Sequence, residues 1–364
     1  MPTPTENQVR DALKTVTLPG LPRDVITLQL VKDVRIDGDT VTVGLELPTP
    51  ACPGEVRAES ERLVTEAVRG TGAGKVTLEV SSAVIGRPLR SADARVRQVK
   101  NIIAVAAGKG GVGKSTVSTN LALALQRFGA RVGMLDADIY GPSLPLMLGP
   151  PERASGASPE GRLQPALHRG LAVMSIGFFV EREGAVVWRG PMVHKLLQQF
   201  LEDVEWGELD YLIVDLPPGT GDAQLSLAQL VPISGALLVT TPQEVALIDV
   251  EKAAAMLRKV EVPLLGVVEN MSEYVCPACG HHDHIFDAGG GKRLAASLGI
   301  PLFGGLPIDP RIRHGGDSGM PFVQGAPGTE LAKHFMELAA KTAWRQAALH
   351  LAGPRRAAGL VAIS

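Results

Sequence analysis

The chain is short of aromatic residues, cysteine and net charge, and each shortage excludes something. Aromatics are 4% of its 364 residues, so its cores have to be built from Ala, Val, Leu and Ile, as buried parallel strands often are. Three cysteines, Cys52, Cys276 and Cys279, are too few and too unevenly spaced for a disulfide framework, and a reducing cytoplasm is the expectation. A formal net charge of −2 gives no global pull toward nucleic acid or an anionic membrane, so neither is expected as a partner. No uninterrupted apolar run reaches the ~18 residues of a membrane-spanning helix. The opening Met-Pro-Thr-Pro-Thr-Glu lacks the basic and apolar regions of a signal peptide. The length suggests two domains.

What is there is organised around residues 102–120. The apolar run Ile102 to Ala107 reads as a buried parallel strand. It leads into Gly108-Lys109-Gly110-Gly111-Val112-Gly113-Lys114-Ser115, which fits G-x-x-x-x-G-K-S/T, and a helical pattern follows to about Phe128. Strand, glycine loop and helix make a phosphate site, because the loop's N–H groups can close around phosphate oxygens and the helix N-terminus adds partial positive charge. Lys114 is expected to reach the β/γ-phosphates, and Ser115 to ligate Mg²⁺. Two more apolar strands end in carboxylates, at Asp136-Ala137-Asp138 and at Asp215. Open parallel sheets bind ligands at that end of their strands. Asp215 closes a Walker B pattern, which holds Mg²⁺ through water. Residues 216–222 follow it as Leu-Pro-Pro-Gly-Thr-Gly-Asp, a loop suited to order around a γ-phosphate, while Asp222 also suits an N-cap for a helix at 223–230. Strands at 236–241 and 264–270, with a helix at 245–259 between them, complete the alternation. A doubly wound, mostly parallel α/β sheet is the expected fold.

The first hundred residues differ in pattern. A helix over 6–15 stops at Leu18-Pro19-Gly20. Apolar residues from Ile26 to Ile36 and from Val41 to Leu47 flank Asp37-Gly38-Asp39 as a hairpin. A helix over 55–68 and a strand over 76–80 make a small α+β domain. The expected organisation is 1–82 for this domain, a linker over 83–100, a nucleotide domain over 101–350 with a C-terminal helix at 327–349, and a tail over 351–364. Cys52 sits just before the 55–68 helix, where a helix N-terminus lowers a thiol pKa unless the thiol is simply buried. Cys276-Pro277-Ala278-Cys279 can bring two thiolates onto one metal or cluster. One chain supplies two cysteines here, so two chains could complete a Cys₄ site for a 4Fe-4S cluster. Alternatively, His281, His282 or His284 could join them around zinc, at a spacing shorter than a zinc finger's.

Taken in order, these strings resemble the Mrp/ApbC-type family of iron–sulfur cluster carrier ATPases, within the MinD/ParA group of "deviant" P-loops. The resemblance rests on the P-loop with its extra lysine, Asp136 to Ser143, Trp188 to Met192, Asp215 to Asp222, Thr240 to Gln243, Asn270 to Ser272, the cysteine pair and Leu306 to Asp309, which follows an expected strand over 301–304. The first domain resembles the small iron–sulfur assembly domain, with Leu18-Pro19-Gly20 where that family carries Asp-Pro-Glu. The resemblance implies a homodimeric ATPase that carries a 4Fe-4S cluster from scaffold proteins to apo-protein clients. It implies that Gly108, Lys109, Gly110, Gly111, Val112, Gly113, Lys114, Ser115 and Thr116 bind ATP, with Lys109 reaching the partner's nucleotide. Asp138 would position the attacking water and Asp136 would support Mg²⁺. Asn270 and Pro307 would contact the adenine side, Ser115 and Asp215 would hold Mg²⁺, and Cys276 and Cys279 would hold the cluster. The alternatives are a metal-free positioning ATPase like MinD or ParA, or a zinc-stapled ATPase.

Overall fold

The computed structural model describes residues 3–86, 96, 98–158, 161–179, 190–219, 221–230 and 232–353. They fall into two units, one running to Ile85 and resuming at Ala343, the other lying between those two points in the chain.

The first unit contains α1 (Glu6–Leu13), β1 (Val31–Asp37), β2 (Thr40–Leu47), α2 (Gly54–Arg69) and β3 (Lys75–Ser82). Thr5 and Gln8 form a reciprocal capping box that starts α1. β1 and β2 pair antiparallel across Gly38-Asp39, and β3 adds parallel to β2. The core takes Val9 and Leu13 from α1, alternate residues Val41, Val43 and Leu45 from β2, and Val64 and Val68 from α2. Trp344 and Ala348, from the far end of the chain, complete it. The Trp344 indole N–H donates to the Pro19 carbonyl at 2.9 Å.

The second unit begins with β4 (Val99–Ala107), α3 (Lys114–Arg127), β5 (Val132–Asp136) and α4 (Leu144–Leu148). A small ribbon, β6 (Gly156–Ala157) with β7 (Leu163–Gln164), precedes β8 (Ala166–His168) and β9 (Leu171–Ser175). Then come α5 (Gly190–Glu202), β10 (Leu209–Asp215), α6 (Asp222–Leu230), β11 (Gly235–Thr240), α7 (Glu244–Lys259) and β12 (Leu264–Val275). The rest is β13 (His282–Asp283), α8 (Gly290–Leu298), β14 (Leu302–Ile308), α9 (Pro310–Asp317), α10 (Phe322–Gly325) and α11 (Glu330–Ala352). Among the described residues one sheet runs β13-β12-β11-β4-β10-β5-β9-β8, with β14 also on β12. Its inner pairings are parallel, and the β8 and β13 edges are antiparallel. Helices on both faces bury every residue of β10 and β11, which is why those strands read as unbroken apolar runs.

Three expectations meet a different arrangement. Residues 26–30 lie outside β1. The Leu306-Pro307-Ile308 string, expected after a strand, is the end of β14 itself. The division between units runs through α11, whose residues from Ala343 onward group with the first unit, whereas the sequence pattern extends the nucleotide domain to 350. Trp344 in the small core is the physical reason. Among the described residues no helix is long and apolar enough to cross a membrane.

Candidate functional site: a phosphate loop and an exposed cysteine pair

The parallel register brings the carboxylates together. Asp215 of β10 stands beside Val105 of β4 and beside Asp136 of β5, so strand ends, P-loop and both acids share the carboxyl-terminal end of the sheet's central strands. Gly108 packs so closely on α7 that a Cβ there would run into the backbone of Asp249 and Val250. Gly113 takes φ 84°, and a Cβ would strike the Asn270 amide, so this position is closed to other residues twice over. Gly113 turns the chain into α3, whose first residue is Lys114.

Lys114 is buried, with Nζ 2.8 Å from Asp215 Oδ1 and 3.8 Å from Asp138 Oδ2. Ser115 Oγ donates to Asp215 Oδ2 at 2.6 Å, and Ser118 Oγ donates to Asp215 Oδ1 at 2.8 Å. Asp136 is buried too, and accepts from Ser175 Oγ at 2.9 Å and from the N–H groups of Ser143 and Leu144 at 3.1 and 3.2 Å. Burial, and then the neighbouring charge of Asp215, push the Asp136 carboxyl up to about 7. Burial also raises Asp138, against the pull of Lys114. A hydroxyl and a carboxylate side by side at the loop's end are a donor set that suits Mg²⁺, a hard cation with oxygen ligands. The loop after Asp215 lies along the P-loop, with Gly219 N–H donating to the Ala107 carbonyl at 3.1 Å. Lys109 is half-exposed at the loop's mouth, and Thr116 lies in the first turn of α3. Asn270 Nδ2 donates to the Val112 carbonyl at 2.8 Å, and Asn270 pairs in register with Leu306, next to Pro307. Thr220, Trp188 and Arg189, the linker arginines at 87, 90, 95 and 97, the Asp222 side chain and the tail from 354 lie outside the described residues.

Sequence reasoning missed Ser118 and Ser175. Ser118 lies four residues after Lys114, on the same helix face, and that spacing was the available signal. Ser175 comes from a strand whose place beside β5 nothing local announces.

The cysteines lie at the tip of the β12–β13 hairpin. Cys276 N–H donates to the His281 carbonyl at 2.9 Å, and Gly280 N–H to the Cys276 carbonyl at 2.8 Å. The backbone N–H groups of Ala278 and Cys279, and then the Cys279 thiol, hold Cys276 below the usual thiol value. Cys279 is exposed. Two of the three histidines are engaged elsewhere, His282 Nδ1 on the Glu273 carboxylate at 2.8 Å and His284 Nδ1 on the Ser272 carbonyl at 3.0 Å. Among the described residues no group of three or more His, Cys, Asp or Glu is placed to hold a metal ion within one chain. Cys52 resolves the other way. It belongs to the small core, and burial pushes its thiol up to about 12, overriding the helix N-terminus.

Fold and pocket define a P-loop nucleoside triphosphatase of the MinD/ParA kind. Residues 98–343 match the NUBPL iron-transfer P-loop NTPase family, and residues 6–80 match an iron–sulfur cluster assembly protein family. The chain belongs to the first of these, the iron-transfer P-loop NTPases. It is 43% identical over 337 residues to the iron–sulfur cluster carrier protein of Haemophilus influenzae, covering 92% of this chain and 90% of that one. It is 48% identical over 255 residues to the mouse iron–sulfur cluster transfer protein NUBPL, covering 69% and 79%. Among solved structures it resembles a nucleotide-binding protein of Archaeoglobus fulgidus in complex with ADP and found with cobalt. That likeness has TM-score 0.56 and 40% identity, covering 63% of this chain and 90% of that one. It also resembles the Pyrococcus furiosus cell-division ATPase MinD, with TM-score 0.50 and 28% identity, covering 66% and 97%.

Proposed function

We propose that this chain is a homodimeric, ATP-hydrolysing carrier that holds a 4Fe-4S cluster between two protomers and passes it to apo-proteins. The observation that carries this reading is the hairpin tip. It presents two cysteines and, among the described residues, no third ligand from its own chain, which is half of a Cys₄ site. Val275, 39% exposed, and Ile285, 53% exposed, flank the pair as apolar surface that a second copy would cover.

Each residue then has a task. The P-loop N–H groups from Gly108 to Ser115 cradle the phosphates. Lys114, held now by Asp215, is within reach of the incoming β/γ-oxygens. Ser115 and Asp215 would hold Mg²⁺, which when bound neutralises phosphate charge. Asp138, at the lip of the pocket, orients the attacking water. Lys109 reaches across to the partner's nucleotide. Asn270, its amide fixed by Val112, faces the base with Pro307. Burial of Asp136 keeps water from its carboxyl, while the Asp138 side chain stays partly exposed where substrate enters.

The test is transfer. A reconstituted protein should activate an apo 4Fe-4S enzyme, and Cys276→Ala/Cys279→Ala should not. Equal activation by both would overturn the carrier reading. Tight zinc with no coloured species would turn it to a structural knuckle.

A further inference from the structure

β12 serves both halves of the site. At its middle, Asn270 Nδ2 is bonded to the Val112 carbonyl of the P-loop. One residue past its end stands Cys276. Five residues of strand lie between the two, six steps that span at most about 20 Å at ~3.3 Å each.

The strand is irregular at one place between them. Met271 takes φ 59°, in the left-handed region that a side chain with a Cβ disfavours. The register with β14 breaks at the same point. Asn270 opposes Leu306 and Tyr274 opposes Ile308, so four steps along β12 face two along β14. The surplus residues form a bulge. Both sides of it are tied down. Ser272 Oγ donates to the Leu306 carbonyl at 3.2 Å, and the Ser272 carbonyl accepts from His284 Nδ1 at 3.0 Å, on the return arm of the cysteine hairpin. A Cβ on Gly305 would lie 2.6 Å from Ser272 Oγ, so the opposite strand leaves room for the bulge only as glycine.

A regular strand would carry Asn270 into Cys276 with no such feature. Here an unfavourable backbone conformation is held by contacts to both the nucleotide side and the cysteine side. Strained residues persist where their surroundings over-determine them. We propose that Met271 and Ser272 are positioning residues that couple the nucleotide pocket to the cysteine hairpin. A shift of the Val112 carbonyl when phosphates enter moves Asn270. The bulge passes that movement to Tyr274 and Cys276, and through His284 to the return arm, so both arms of the hairpin turn together. Coupling of this kind is reciprocal, so whatever occupies the thiols alters nucleotide affinity by the same factor. The inference rests on the reading that Cys276 and Cys279 form the cargo site.

The experiment uses the full reduced chain without iron. Iodoacetamide alkylation of Cys276 and Cys279 is followed by peptide mass spectrometry, with and without saturating Mg²⁺ and a non-hydrolysable ATP analogue. The nucleotide should change the rate by about fivefold or more, the lower end of ordinary coupling between sites. Met271→Gly frees the backbone to leave the left-handed region, and should bring the change to within about twofold. Met271→Asn, which tolerates that region, should retain it. Ser272→Ala, which cuts the bond to Leu306, should lessen it even if the glycine variant folds poorly. A wild-type rate indifferent to nucleotide overturns the proposal, as does a Ser272→Ala or Met271→Gly ratio equal to wild type. Because the readout needs no cluster, its failure is separate from a failure of cluster binding.

Discussion

Lys114 lies buried between Asp215 and Asp138, where its charge faces two acids. Lys114→Ala should lower ATP turnover by about 100-fold or more, the scale set by removing one preorganised donor. It should leave cluster binding at Cys276 and Cys279 intact while abolishing cluster delivery in the cell. Delivery at wild-type level by that variant would break the coupling of hydrolysis to carriage. Asp136 gives a second test. Its carboxyl, pushed up to about 7, binds more protons folded than unfolded between its ordinary value near 4 and 7. Its contribution to stability is therefore present at low pH and lost as pH rises through that window. Relative to Asp136→Asn, the nucleotide-free wild type should lose denaturation midpoint between about pH 4 and 7, and a parallel pair of curves would contradict this. Cys52, raised to about 12 by burial, should resist alkylation at pH 8 in the native protein while Cys276 and Cys279 react.

At the scale of elements, the sequence was most informative where one strand or loop carries its own signal. β5 and β11 are bounded by apolar runs, and the P-loop by its glycines and the helix behind it. Parallel strands buried on both faces leave such runs. Legibility failed where a neighbour decides. The Cys52 thiol is governed by the core around it rather than by α2 next to it. The Asn270 bond to Val112 depends on β12 lying beside the P-loop, which nothing local announces. α5 and α8 went unread because their apolar faces are set by the strands they cover. The Met271 bulge has no sequence signal at all, since a methionine with positive φ is imposed by its surroundings.

At the scale of the whole molecule, the chain's two ends share one core. α11 starts in the nucleotide-binding unit and ends among Val9, Leu13 and Val43. Trp344 is fully buried there, and Trp344→Ala should cost about 3–5 kcal/mol of the small unit's stability, through lost burial and the cavity left behind. Limited proteolysis should then cut within residues 3–85 while residues 98–342 stay protected. Protection of both would mean that the helix end contributes little. Sharing of one cluster by two protomers through four cysteines is tested by counting iron. After anaerobic iron–sulfide reconstitution, about four irons per dimer with a broad absorption band near ~400 nm are expected, both lost in Cys276→Ala/Cys279→Ala. A colourless protein that keeps tight zinc, or iron bound equally well by the double variant, would contradict it.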